Sequence, residues 1–274
     1  MQEFNPSSLR QLFRPGQNSS KEDNGQVTII GGSSLFHGAP LLALKTASRI
    51  VDMVFFASPE LGMAKVATEL KSRLSAFILV PWKEIDNYLA KSEAVLIGPG
   101  LMRYHRESKD ECDKACQLTK KVTETLLTKF PQKQWVIDGG SLQVMDPEFI
   151  PKSAIITPNK KEYRMLFGEQ SPETMAKKYR CLIVAKGVET LVYSPTECVS
   201  VKGGNAGLTK GGTGDVLAGL TVALAAKNPP FLAACAASYL VKKAADELYG
   251  KVGFAYNADD LADKAPEVLG EYFR

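Results

Sequence analysis

Seven short runs of β-branched and aliphatic residues punctuate the chain: Val27–Ile30, Val54–Ala57, Phe77–Val80, Ala94–Ile97, Trp135–Ile137, Ala154–Ile156 and Leu182–Val184. Apart from Thr28, each is apolar throughout instead of alternating with polar residues, so both faces of the implied strand are covered. That pattern belongs to parallel sheets flanked by helices. Between the runs lie segments of helical character at Pro40–Val51, Leu61–Arg73, Arg106–Lys129, Lys160–Phe167, Asp215–Ala226, Phe231–Tyr249 and Ala258–Leu269. Pro40 suits a first helical turn, Gly168 and Gly250 suit C-terminal stops, and Pro229-Pro230 separate two helices. Thr190–Tyr193 and Cys198–Val201, joined through Ser194–Glu197, read as a hairpin at the sheet edge. The alternation predicts a single-domain α/β fold, a doubly wound and mainly parallel sheet with helices on both faces.

Composition narrows the class. Hydrophobic residues at 45% and charged residues at 23% of 274 exclude a disordered, collagenous or membrane-dominated chain. Val216–Ala226 is apolar for only eleven residues before Lys227, about half of a bilayer span, and is expected to be a core helix. Lys+Arg 34 against Asp+Glu 30 leaves a formal charge of +4 without a basic block, which implies no nucleic-acid partner and tolerates anionic ligands. Five cysteines form no secreted framework, and a reducing cytoplasm is expected. Cys112 and Cys116 are read as packing residues on one helix face, and His37 and His105 stand alone, so no metal-ligand set is assigned. Residues 1–26 read as a polar N-terminal arm without a signal-peptide core, ahead of a domain over 27–274.

The expected strand ends share a chemistry. Gly31-Gly32-Ser33-Ser34, Gly98-Pro99-Gly100, Asp138-Gly139-Gly140-Ser141 and Thr157-Pro158-Asn159 follow four of the runs, and in a parallel sheet all four fall on one carboxyl edge, where ligands bind. The densest element is Gly203–Asp215, with Gly211-Gly212-Thr213-Gly214-Asp215 opening an Ala-Gly-Leu helix. Glycines at a helix start let backbone N–H groups converge on a phosphate, assisted by the helix dipole. A carboxylate there repels phosphate, so Asp215 is read as a general base; the plain alternative is an N-terminal cap. Lys186-Gly187 follows another strand and can lend a cation. The glycines match neither the Walker loop nor the dinucleotide fingerprint.

These residues, with Gly38-Ala39-Pro40, Ile97-Gly98-Pro99-Gly100, Val136-Ile137-Asp138, Glu162 and Lys186-Gly187, resemble the ADP/ATP-dependent NAD(P)H-hydrate dehydratases of the ribokinase-like superfamily, from Val27 to the C-terminus. No separate epimerase domain is expected in the remainder. The resemblance implies that Ala39, Gly100, Asn159 and Asp215 line a site for hydrated NADH or NADPH (NADHX, NADPHX). It implies that Lys186, Gly187, Val188, Glu189 and Thr190, with Gly211, Gly212, Thr213 and Gly214, hold ADP or ATP with Mg²⁺, that Asp215 is catalytic, and that the protein is a cytoplasmic homo-tetramer. ADP is the expected donor. Two alternatives remain at this point: a vitamin-precursor kinase acting on a hydroxymethylpyrimidine or thiazole alcohol, and a non-catalytic nucleotide sensor.

Overall fold

The computed structural model describes residues 2–103 and 112–273. Its strands are β1 (Gln2–Glu3), β2 (Gln26–Ile30), β3 (Met53–Ala57), β4 (Ile78–Leu79), β5 (Ala94–Ile97), β6 (Gln134–Ile137), β7 (Ile155–Ile156), β8 (Leu182–Ala185), β9 (Thr190–Tyr193) and β10 (Cys198–Val201). The α-helices are α1 (Gly38–Ala47), α2 (Met63–Leu70), α3 (Ile85–Lys91), α4 (Lys114–Lys129), α5 (Gly139–Val144), α6 (Lys160–Phe167), α7 (Pro172–Tyr179), α8 (Thr213–Ala225), α9 (Pro230–Val252) and α10 (Ala258–Glu271). The strands form one sheet in the order β1-β10-β9-β8-β7-β6-β5-β2-β3-β4. All neighbours pair in parallel except β8 with β9 and β9 with β10.

Side-chain parity along the strands divides the interior into two layers, because successive residues of a strand point to opposite faces. Val27 and Ile29 of β2, with Ala94 and Leu96 of β5, pack in the layer that contains α1, α8, α9 and α10. Ile30, Val95 and Ile97 pack in the other, against α3, α4, α6 and α7. This explains the apolar runs: with helices on both faces, no strand position is left for a solvated side chain. Gly219 in α8 shows how close the layers come, since a Cβ there would stand 2.5 Å from the carbonyl oxygen of Ala43 in α1. Among the described residues no helix is long and apolar enough to cross a membrane.

Several local expectations change. Helix α9 runs past Gly250 and stops at Gly253, whose φ of +61° suits the left-handed region that glycine tolerates. The short helices α3, α5 and α7 were not anticipated; α5 begins directly on the glycines after β6, where the sequence reads only as a turn. The hairpin β9–β10 is not the sheet edge, because β1 of the N-terminal segment pairs alongside β10. The same segment buries Leu9 and Leu12 against the α9 layer. Cys112 precedes α4 instead of sharing its face with Cys116, and the two are joined in a disulfide, which replaces the packing reading. The start of that helix expected at Arg106, and His105, lie outside the described residues.

Candidate active site

The strand order reverses where β2 sits between β5 and β3, and ligands bind at such switch points. There the turns lie directly on one another. Gly32 donates its N–H to the Pro99 carbonyl at 2.8 Å. At Gly98, with φ +119°, a Cβ would stand 1.7 Å from the Asp138 carbonyl oxygen, so only glycine lets the β5 and β6 turns close up. The glycines after the strands are thus explained by contact between the turns, and the result is a continuous rim at the carboxyl edge.

Four ionisable side chains meet on that rim. Asp138, at the end of β6, is 2% exposed. Its Oδ1 accepts hydrogen bonds from Thr157 Oγ1 at 2.8 Å, beyond β7, and from Lys186 Nζ at 2.9 Å, beyond β8. Lys186 Nζ also lies 3.8 Å from Glu162 Oε2. Glu162 closes a capping box with Asn159: its Oε2 accepts from the Asn159 N–H at 2.8 Å, while Asn159 Oδ1 accepts from the N–H groups of Lys161 and Glu162 at 2.9 Å. The oxygen of Asn159 is therefore committed to its helix, and its amide nitrogen is the end it can present to a ligand.

The electrostatics follow from one ammonium among three carboxylates. Burial, then the Asp138 charge, push the Asp215 carboxyl up to about 7, with Lys186 opposing them. Burial also raises Glu162. Burial alone would lower the Lys186 ammonium, but Asp138 and Glu162 outweigh it and hold the group above its ordinary value. An aspartic acid poised near neutrality has the proton affinity a general base requires at physiological pH.

Asp215 is not a cap. The N-cap of α8 is Gly212, at φ +92°, and Asp215 stands in the first turn. A Cβ on Gly212 would approach Leu42 Cδ1 to 2.5 Å and Ala258 Cβ to 2.8 Å, so glycine is required on two grounds. The preceding loop is fastened by Thr213 Oγ1, which donates to the carbonyls of Leu208 at 2.7 Å and Lys210 at 2.9 Å. Lys210 Nζ in turn donates to the carbonyls of Phe254 and Tyr256.

Two cavities open on either side of this helix start, of about 630 and 590 Å³. Asn159, Lys186 and Gly214 line both, so the cavities meet at the ion cluster. The first is lined by the expected residues Lys186, Gly187, Val188, Thr190, Thr213 and Gly214. The second holds Ala39, Gly100 and Asp215, together with Gly211 and Gly212, which the sequence reading placed with the nucleotide. Glu189 lines neither. Asp138 and Glu162 stand in the sequence motifs without an assigned site role, and Arg103 in the second cavity and Asn205, Ser238 and Lys242 in the first went unassigned. Glu162 was findable from its spacing, because an Asn-x-x-Glu run before a helical stretch marks a capping box. Among the described residues no group of three or more His, Cys, Asp or Glu side chains could hold a metal by itself.

The chain is similar to several known proteins. It is 35% identical to the bifunctional NAD(P)H-hydrate repair enzyme Nnr of Methanocaldococcus jannaschii, over 95% of this chain and 51% of that protein. It therefore spans about half the length of that relative. It is 27% identical to the ADP-dependent (S)-NAD(P)H-hydrate dehydratase of Cenarchaeum symbiosum, over 94% of this chain and 93% of that one. The fold matches the ADP/ATP-dependent NAD(P)H-hydrate dehydratase of Bacillus subtilis co-crystallized with ATP/Mg²⁺, at a TM-score of 0.78, 23% identity and coverage of 99% and 98%. The fold is ribokinase-like: a ribokinase-like superfamily protein of Enterococcus faecalis V583 aligns at a TM-score of 0.81 and 23% identity, covering 99% of this chain and 96% of that one. The family model for NAD(P)H-hydrate dehydratase, Carb_kinase, matches residues 27–267, and the chain belongs to that family.

Proposed function

We propose that this protein dehydrates hydrated NADH or NADPH at the expense of an adenine nucleotide, ADP in preference to ATP. The observation that carries the reading is the placement of Asp215, whose carboxyl is raised to about 7, in the second cavity next to Gly214, which with Lys186 lines both cavities. One cavity would hold the nucleotide along Lys186–Thr190 and Thr213–Gly214. The other would hold the nicotinamide hydrate against Ala39, Gly100, Asn159 and Asp215.

The chemistry balances with these groups. Hydroxide is a poor leaving group, so the ring hydroxyl must first be activated. Asp215 takes the hydroxyl proton as the oxygen bonds to the terminal phosphorus, and the bond from that phosphorus to the bridging oxygen breaks, releasing AMP from ADP. The lone pair on the ring nitrogen then expels phosphate, and loss of a proton from the neighbouring carbon restores the dihydropyridine. Lys186 would offset negative charge on the transferring group, and main-chain N–H groups of Gly211, Gly212 and Gly214 at the start of α8 would meet phosphate. Asp138 and Glu162 offer hard carboxylate oxygens beside Lys186, a donor set that suits Mg²⁺ arriving with phosphates. When bound, Mg²⁺ supplies charge neutralisation on the polyphosphate.

Purified protein is mixed with hydrated NADH, Mg²⁺, and ADP or ATP, and absorbance is followed in the reduced-nicotinamide band. Recovery with one nucleotide establishes the reaction and names the donor. Absence of recovery with both, from folded protein that binds nucleotide, refutes it in favour of a vitamin-precursor kinase. A homo-tetramer in the cytoplasm, with residues 1–26 as an arm on a domain over 27–274, completes the proposal; light scattering tests the assembly.

A further inference from the structure

Lys242 is the residue of the first cavity whose presence packing does not explain. It sits in the middle of α9 between the buried Val241 and Ala244, and is itself 4% exposed. A buried ammonium is costly unless every N–H finds a partner. Its partners are all main-chain carbonyls: Val188 at 2.6 Å, Gly203 at 3.0 Å and Gly187 at 3.4 Å. Burial pushes the group down, and the carboxylates of Asp246 and Glu189 offset part of that from longer range.

Those carbonyls belong to two separate loops. Gly187 and Val188 lie between β8 and β9, and Gly203 lies between β10 and α8, yet both loops line the same cavity. The side chain of Val188 is 98% exposed, so hydrophobic packing holds nothing at that point of the turn. Gly203 and Gly204 have φ of +94° and +78°, and a Cβ on Gly204 would stand 3.1 Å from Lys242 Cγ, so the loop passes directly over the lysine stem. One turn further along α9, Asp246 Oδ2 accepts the Gly204 N–H at 2.9 Å and fastens the same loop.

We propose that Lys242 is a positioning residue for the adenine nucleotide, tying the Gly187-Val188 turn to the Gly203-Gly204 loop and so setting the width of the cavity between them. The inference rests on reading that cavity as the nucleotide site. With its three N–H donors spent on carbonyls, the ammonium keeps none for phosphate; it acts on the nucleotide through the two walls. Removing it loosens nucleotide binding and leaves the Asp215 chemistry in place.

The test compares wild type with Lys242→Met by calorimetric titration with ADP and ATP in Mg²⁺, and by steady-state kinetics on hydrated NADH. Expected for Lys242→Met is a nucleotide Kd and KM raised about tenfold, kcat within about twofold of wild type, and an unchanged KM for the hydrate. Asp246→Ala, at an exposed position, removes the acceptor of the Gly204 N–H and provides the second variant should Lys242→Met fail to fold; its nucleotide KM is expected to rise about threefold with kcat kept. Wild type that binds neither nucleotide overturns the reading of the cavity, and this inference with it. Wild type that binds while the folded variants bind equally well, or lose kcat with nucleotide KM unchanged, overturns the inference alone.

Discussion

The acid limb of the pH–rate profile is where the charge cluster makes itself measurable. An ordinary aspartate, near 3.8, is fully ionised at pH 6 and would leave the rate flat there. With the Asp215 carboxyl raised to about 7, about half of the free enzyme carries the base at pH 7, about one tenth at pH 6 and about nine tenths at pH 8. The kcat/KM for the hydrate should therefore fall about fivefold from pH 7 to pH 6, and nearly tenfold more for each further unit. Because burial, Asp138 and Glu162 raise the Asp215 carboxyl while Lys186 lowers it, the midpoint reflects their combined effect. Recovery of nicotinamide absorbance with hydrate and nucleotide both subsaturating, corrected at each pH for the rate without enzyme, measures it. Lys186→Met sharpens the test: the ammonium opposes the upward shift, so its loss should move the limb to higher pH. A profile flat down to pH 5 would refute the assignment of Asp215 as a base with a raised pKa.

Asp215→Asn should cut turnover by at least 10²-fold, roughly the contribution of a general base, while nucleotide binding is retained. The same variant should be more heat-stable than wild type at pH 8. The folded carboxyl titrates above the unfolded one, so ionisation opposes folding as pH rises from about 4 to about 7, and the amide removes that penalty; at pH 4 the difference should vanish. Gly212→Ala should destabilise by about 1–3 kcal/mol, read as a lower Tm, since the new Cβ meets Leu42 and Ala258 at a left-handed φ. Leu9→Ala should cost about 2–5 kcal/mol, because the side chain is fully buried against α9; no change in Tm would mean that the N-terminal segment does not dock in solution.

The layered fold was legible because burial on both faces leaves a direct trace, the unbroken apolar run, and because Lys160–Phe167 carries both ends of its helix in sequence, Asn159 with Glu162 at one and Gly168 at the other. The short helices were not. In α5, Gly139 and Gly140 oppose helix formation locally, and Gly140 is there for a tertiary reason: a Cβ would meet the Leu101 carbonyl at 2.3 Å, a closeness that exists only after the sheet has formed. The glycine-rich start of α8 stands out in the sequence by glycine density alone. Its division between two cavities was not legible there, since that depends on which side of the helix each residue faces.

The ion cluster exposes the limit of local reading most clearly. Asp138, Thr157 and Lys186 each follow a different strand, and the pattern of runs puts them on one edge without saying which strands are neighbours. Parallel pairing in the order β6-β7-β8 places the three strand ends side by side, and the hydrogen bonds from Thr157 and Lys186 to Asp138 cross that edge in sequence. The same edge receives α8 with Asp215. A carboxylate pushed toward neutrality is thus a property of topology: it needs burial under the helix layers and an acidic neighbour two strands away, and no window of sequence around Asp215 contains either. Burial first, and then Asp138 and Glu162 against Lys186, set the pH at which the Asp215 carboxyl can accept a proton.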